Sequence, residues 1–194
     1  MLALEDNPPI RSPHLHVGED SNNHWWIAHT KSRMEKAFAS DLLRRQVPYF
    51  LPMNQRVTFS GGRKRHVMLP LFSSYVFIYG DDEARATALM TNRLCRLIRV
   101  VEQQALTREL AAIELGLASN LPIDPYPFAA VGKRCRVVSG PMAGTEGIVV
   151  QRNAKSSRLV LFVQMLGQGA AVEIDTDLLE PAEDFVPTGA VQFV

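Results

Sequence analysis

The chain has 194 residues, of which 46% are hydrophobic and 21% charged, a composition of ordinary globular proteins that excludes disorder throughout. Its 21 Lys and Arg nearly cancel its 20 Asp and Glu, so electrostatic binding to nucleic acid or membrane has to be local rather than global. Met1-Leu2-Ala3-Leu4 runs straight into Glu5 and Asp6, without a basic region or an apolar core, and no run of about 18 apolar residues follows, so the expectation is a soluble, cytoplasmic protein with no membrane partner.

Residues 1–23 hold three prolines, clustered acids and asparagines and few apolar side chains, and are expected to form a flexible tail. His14 and His16 make an HxH without carboxylate or cysteine company, a poor metal site. His24 to Thr30 is an aromatic and β-branched run that suits a strand, and Ser32 to Arg45 has helical spacing, with Ser32 and Glu35 as a capping box and Arg44-Arg45 near the negative end. Pro48 stops it. Val57-Thr58-Phe59, Gly61-Gly62 and Arg63 to Met68 predict a hairpin with a basic tip. Tyr75 to Tyr79 is the strongest strand. A helix around Glu83 to Met90, a strand at Leu97 to Val101 and a helix from a Thr107 cap through Leu117 follow.

Pro122, Pro125 and Pro127 predict a stiff connector. Beyond it, Cys135 to Val138, Gly147 to Val150, Leu159 to Val163 and Ala171 to Ile174 read as short strands between Gly, Pro, Asn and Ser turns, which should curl into a small barrel because closure removes exposed edges. Cys95 and Cys135, far apart and outside any CxxC, are expected to be reduced packing residues. The expected organisation is a tail at 1–23, an α/β domain at 24–118 with an antiparallel sheet and flanking helices, a linker at 119–130, an all-β barrel at 131–182 and a second tail at 183–194.

No nucleophile, base and orienting group assemble, and GxSxG, GxxxxGK[ST], HExxH and a Gly-rich dinucleotide turn are all missing, so neither an enzyme nor a cofactor or metal is expected. His24 and His29 fall on opposite faces of their strand. Charge is more informative: residues 42–80 carry Arg44, Arg45, Arg56, Arg63, Lys64 and Arg65 without one acid. The end of the chain reverses this, with no Lys or Arg after Arg158 and acids at Glu173, Asp175, Asp177, Glu180, Glu183 and Asp184. A basic hairpin tip fits phosphates, which supply sequence-independent affinity. Tyr75, Phe77 and Tyr79 share one face of their strand and Val76 and Ile78 the other, so both faces are apolar.

Val131 to Val149, with its strand, Gly140-Pro141 turn and Gly147 before the next strand, resembles a KOW motif, and the rest to Leu179 resembles the C-terminal domain of bacterial NusG. Trp25-Trp26, the Lys31 to Arg45 segment and Pro70-Leu71-Phe72-Ser73-Ser74-Tyr75-Val76-Phe77 resemble the NusG N-terminal domain, so the likeness covers about residues 24–181. It implies an α/β domain of NGN type, an SH3-like KOW barrel, and a monomeric, non-enzymatic elongation or antitermination factor. By the same likeness Tyr75, Phe77 and Val100 would contact the clamp helices of the largest polymerase subunit. Lys31, Arg33, Arg93 and the Arg63-Lys64-Arg65 hairpin would face upstream or non-template DNA, and Met165, Leu166 and Gln168 would meet the barrel's partner.

Ser73-Ser74 stands where the family usually has Pro-Gly, and the glycine usual after the counterpart of Arg93 is missing at Leu94, which points away from the general housekeeping member, while the long basic hairpin and N-terminal tail resemble a specialised paralogue of the RfaH type. Leu166-Gly167-Gln168 replaces an aromatic, a glycine and a basic residue, which argues against ribosome or Rho contacts. The alternative is an RNA- or ribosome-binding module.

Overall fold

The computed structural model describes residues 6–18, 22–60, 63–119, 121, 123–126, 133–152, 156–163, 166, 168–175 and 178–182. In the first domain β1 (His24–Thr30), β2 (Tyr49–Phe50), β5 (Tyr75–Gly80) and β6 (Leu94–Arg99) form an antiparallel sheet in the order β2-β5-β1-β6. The strands β3 (Met53–Ser60) and β4 (Arg63–Pro70) pair only with each other. Helices α1 (Glu35–Arg44), α2 (Asp82–Leu89) and α3 (Gln103–Ala118) flank the sheet.

The alternation of β1 and β5 divides the core. Trp26, Ala28, Val76 and Ile78 face Phe38, Ala39 and Leu42 of α1 and Ala88 of α2. Trp25, Ile27, Phe77 and Tyr79 face Leu106, Leu110 and Ile113 of α3. The register Trp25↔Tyr79, Ile27↔Phe77, His29↔Tyr75 keeps like with like across the two strands.

Several element ends differ from the sequence reading. α1 starts at Glu35, not Ser32, because Arg33 takes a left-handed φ of 61° and breaks the helix there. Glu35 is buried and accepts from the Ser74 N–H at 2.7 Å instead of closing a capping box. α2 is capped as helices prefer, Asp81 accepting from Ala84 N–H at 3.0 Å, worth about 1 kcal/mol. α3 begins at Gln103, so Thr107 lies inside it, donating to Gln103 O and accepting from Trp25 Nε1. β6 ends at Arg99, leaving Val100 buried and Val101 exposed beyond the strand.

Where the sequence suggested a flexible tail, residues 6–18 are packed. Ser12 N–H donates to Tyr49 O at 3.0 Å, Leu51 N–H donates to Ile10 O at 2.7 Å, and Arg11 bridges Phe50, so this segment covers the outer edge of β2. Leu15 is 2% exposed within the α3 side of the core. The low apolar content was misleading because one well-placed leucine and backbone pairing to an open edge suffice to hold an extended segment.

The second domain is one antiparallel sheet of β7 (Ile123–Tyr126), β8 (Lys133–Val137), β9 (Glu146–Arg152), β10 (Ser156–Val163), β11 (Gln168–Asp175) and β12 (Leu179–Pro181), in the order β12-β8-β9-β10-β11-β7. A register shift opposite Arg158 and Leu159 gives β9 one extra residue, Val150, an irregularity of the kind that bends a strand. Gly147 lets β9 lie close on β10: a Cβ there would stand 2.6 Å from Val160 O. The expected proline connector contributes β7, an edge strand on β11, and proline is tolerated on edges. The predicted tail at 183–194 lies outside the described residues.

The two domains share one apolar cluster. It runs from Phe77 and Tyr79 through α3 to Ile123, Met142, Leu159 and Leu161. A Cβ on Gly116 would lie 3.2 Å from Ile123 Cδ1, 3.5 Å from Leu161 Cδ1 and 3.6 Å from Met142 Cε, so α3 presents its glycine where the barrel comes closest. Asn54, at the base of the β3–β4 hairpin, donates through Nδ2 to Ile123 O at 3.0 Å.

Candidate interaction surface

Three loops meet at one end of the first sheet. Thr30 N–H donates to Ser74 O at 2.8 Å, Lys31 N–H donates to Arg93 O at 2.8 Å, and Lys31 Nζ donates to Asn92 O at 2.7 Å. Each loop contains a non-glycine residue with left-handed φ: Arg33 at 61°, Ser74 at 66° and Asn92 at 56°. Such residues cost on the order of 1 kcal/mol apiece and persist where the surroundings hold them. The hydrogen bond that Lys31 donates to Asn92 O and the one that Glu35 accepts from Ser74 N–H supply that hold at Asn92 and Ser74.

Lys31, Arg33 and Arg93, separated in sequence, are thereby brought together. They are not equivalent. Lys31 and Arg33 are exposed, whereas Arg93 pairs through Nε with Asp41, which also pairs with Arg44. Burial opposes the Asp41 charge, but the hydrogen bonds and charges of Arg93 and Arg44 outweigh it and hold the carboxyl below its ordinary pKa. Arg93 Nη1 also reaches Met34 Sδ at 3.6 Å. Asp41 organises this corner and was missed from sequence. Its spacing of three from Arg44 is the one signal that could have suggested a pair.

The hairpin carries Lys64, Arg65 and His66 exposed, and Arg65 lies opposite Thr58 in the register. Gln55 Nε2 and His66 Nδ1 lie 2.7 Å apart across the strands. Arg63 belongs to β4, but its side chain lies outside the described residues.

The residues expected to make an apolar contact separate by depth. Phe77 is 0% exposed, edge-on to Phe72 with centroids 6.0 Å apart and 6.4 Å from Phe50, and Val100 is 3% exposed. Only Tyr75 of the three reaches the surface, half-buried and stacked on His29 at 5.0 Å. The register His29↔Arg96 continues the row across β6, with Ile98 half-buried on the same face. The available patch is therefore Tyr75, His29, Arg96 and Ile98, backed by Phe77 and Val100. Sequence reasoning missed His29 and Arg96 because the pairing of β1 with β6 joins segments far apart in the chain.

On the barrel, Leu166 is half-buried against the shared cluster and Gln168 half-buried in register with Val163, while Met165 lies outside the described residues. Glu146 pairs with both Arg134 and Arg136 at 2.6 Å. The Arg136 hydrogen bond, against the effect of burial, keeps its carboxyl below the usual range. Among the described residues no group of His, Cys, Asp and Glu could hold a metal ion, and no helix is long and apolar enough to cross a membrane.

Two family models match separate segments of the chain. The family model described as transcription termination factor nusG matches residues 23–114, and that of the KOW motif matches residues 131–162. The transcription termination/antitermination protein NusG of Deinococcus radiodurans is 28% identical over 133 residues, covering 59% of this chain and 70% of that protein. Similar solved structures include one describing domain interaction in Thermotoga maritima NusG, with 19% identity, a TM-score of 0.49 and coverage of 83% of this chain and 98% of that one. An MjSpt4:Spt5 complex has 12% identity, a TM-score of 0.25 and coverage of 82% and 97%.

Proposed function

From a chain that carries a NusG-type N-terminal domain followed by a KOW motif, we propose a transcription elongation and antitermination factor that docks on RNA polymerase through the first domain. The observation that carries this reading is the order of the two matched segments, 23–114 and then 131–162, since a KOW motif alone also fits an RNA-binding module. No catalytic role is assigned.

The docking face is the half-buried Tyr75 with its stacked His29, and Phe77 and Val100 support it from the core. The clamp helices of the largest polymerase subunit are the partner. Lys31, Arg33 and the hairpin cations Arg63, Lys64 and Arg65 meet upstream or non-template DNA, while Arg93, held by Asp41, sets the position of the Lys31 loop. The barrel recruits a further partner around Met165, Leu166 and Gln168. The Ser73-Ser74 turn and the basic hairpin favour a specialised role of the RfaH type over a general one. Such a factor acts as a monomer in the cytoplasm.

The test is elongation by purified bacterial polymerase on a template with a pause site and a terminator. Faster pause escape or terminator read-through is expected, lost in a folded Tyr75→Ala variant. If polymerase neither retains the protein nor changes its elongation, the RNA-binding module becomes the better reading.

A further inference from the structure

Helix α3 is held to the first domain by different means along its length. At its N-terminal end, Trp25 N–H donates to Gln103 Oε1 at 2.7 Å, Trp25 Nε1 donates to Thr107 Oγ1 at 3.0 Å, and Gln103 Nε2 donates to Trp25 O and Val100 O. The second half of the helix lacks these ties and is the half that meets the barrel, at Gly116. Among the described residues, the one polar side-chain tie from the first domain to this half is Arg11 Nη1 to Glu114 Oε2 at 2.7 Å.

Arg11 belongs to the segment preceding β1. Its other guanidinium nitrogen donates to Leu15 O at 3.0 Å, so the charge pair and the Leu15 plug are one unit. Leu15 enters the cluster that contains Leu110 and Ile113. The segment is fixed at its ends: Tyr49 Oη donates to Pro9 O and Tyr79 Oη donates to Gly18 O, both at 3.1 Å. It therefore spans from the edge of β2 across to the outer half of α3.

We propose that residues 9–18 form a clasp that fixes the second half of α3 on the sheet and thereby sets how firmly the barrel stays docked. The segment touches, through Arg11 and Glu114, the helix on which the barrel sits. Loosening it leaves each domain's own core in place while the surface at Gly116 loses its fixed shape. Both members of the ion pair are 41% exposed, so the clasp is open to salt. Docking of the barrel on α3 involves two parts of one chain and is independent of the partner the protein serves.

The experiment is single-molecule energy transfer in the full chain, with dyes on the exposed Cys95 and on Ser139→Cys, in a Cys135→Ser background. Arg11→Glu should lower the ratio of docked to open molecules by about two- to fivefold, the range an exposed ion pair supplies. The exchange Arg11→Glu/Glu114→Arg should restore the ion-pair share of this loss, the donor to Leu15 O being gone with the guanidinium, and Leu15→Ser should open the molecule further. Raising salt from about 0.1 M to about 1 M should weaken docking in the parent chain and, by screening the like charges that Arg11→Glu sets against Glu114, narrow the difference between parent and variant. Near-ultraviolet dichroism from Trp25 and Trp26 checks that the first domain remains folded. An unchanged ratio in both Arg11→Glu and Leu15→Ser overturns the proposal, as does a charge exchange that leaves the ratio no higher than in Arg11→Glu alone.

Discussion

Asp41 receives two guanidinium groups, from Arg44 on its own helix and from Arg93 before β6, and so joins the two sides of the basic corner. Its pKa is lowered in the folded chain, so its contribution is complete above the unfolded value of about 3.9 and disappears as pH falls through the depressed folded value. Asp41→Asn should therefore destabilise the protein at neutral pH, and its gap from the parent chain should close on acidification below about pH 4. Urea unfolding at a series of pH values measures this. A different contrast holds at the aromatic strand. Phe77→Ala empties a fully buried site and should cost about 3–5 kcal/mol, whereas Tyr75→Ala, at the surface end of the same face, should cost clearly less in the same unfolding experiment. Strand alternation in the sequence assigned both residues to one face but could not rank their depth, because depth depends on where α3 ends over that face.

Among the elements, the β3–β4 hairpin is the part whose chemistry the sequence showed most directly. Gly61-Gly62 flanked by β-prone arms and followed by Arg63-Lys64-Arg65 allows little else, and the strands pair as far down as Met53 and Pro70. If its tip meets nucleic acid, Lys64→Ser/Arg65→Ser should flatten the dependence of binding on salt by roughly 0.9 in log–log slope for each duplex phosphate that the variant leaves unneutralised. Titrations of a transcribing complex at several salt concentrations would give the slope, and an unchanged slope would remove the hairpin from the interface. Other elements were legible in kind and not in extent. The start of α1 was set by the left-handed Arg33, and the strand character of Ile123 to Tyr126 by pairing with Gly169 to Val172, both decided by partners distant in sequence. The ordered segment at 6–18 was invisible for the same reason: its hydrogen bonds go to β2 and β5, and no local periodicity announces them.

At the scale of the whole molecule, the shared apolar cluster couples the interiors of the two domains. Heating should give one cooperative transition in the parent chain. Gly116→Leu places a bulky side chain where even a Cβ stands 3.2 Å from Ile123, so it should separate the barrel from α3 and split that transition in two by calorimetry. The margins of the first sheet are unlike each other: residues 10–12 cover β2, while no strand among the described residues pairs with the outer side of β6. An open strand is a template on which a second copy can add itself and begin a fibre or a precipitate. Arg96 and Arg99 stand exposed along that margin, so two molecules approaching edge to edge meet charge of one sign. Colloidal behaviour thus depends on two arginines with no part in the fold's interior, and Arg96→Val/Arg99→Val should turn a clear solution turbid on standing, as light scattering would register.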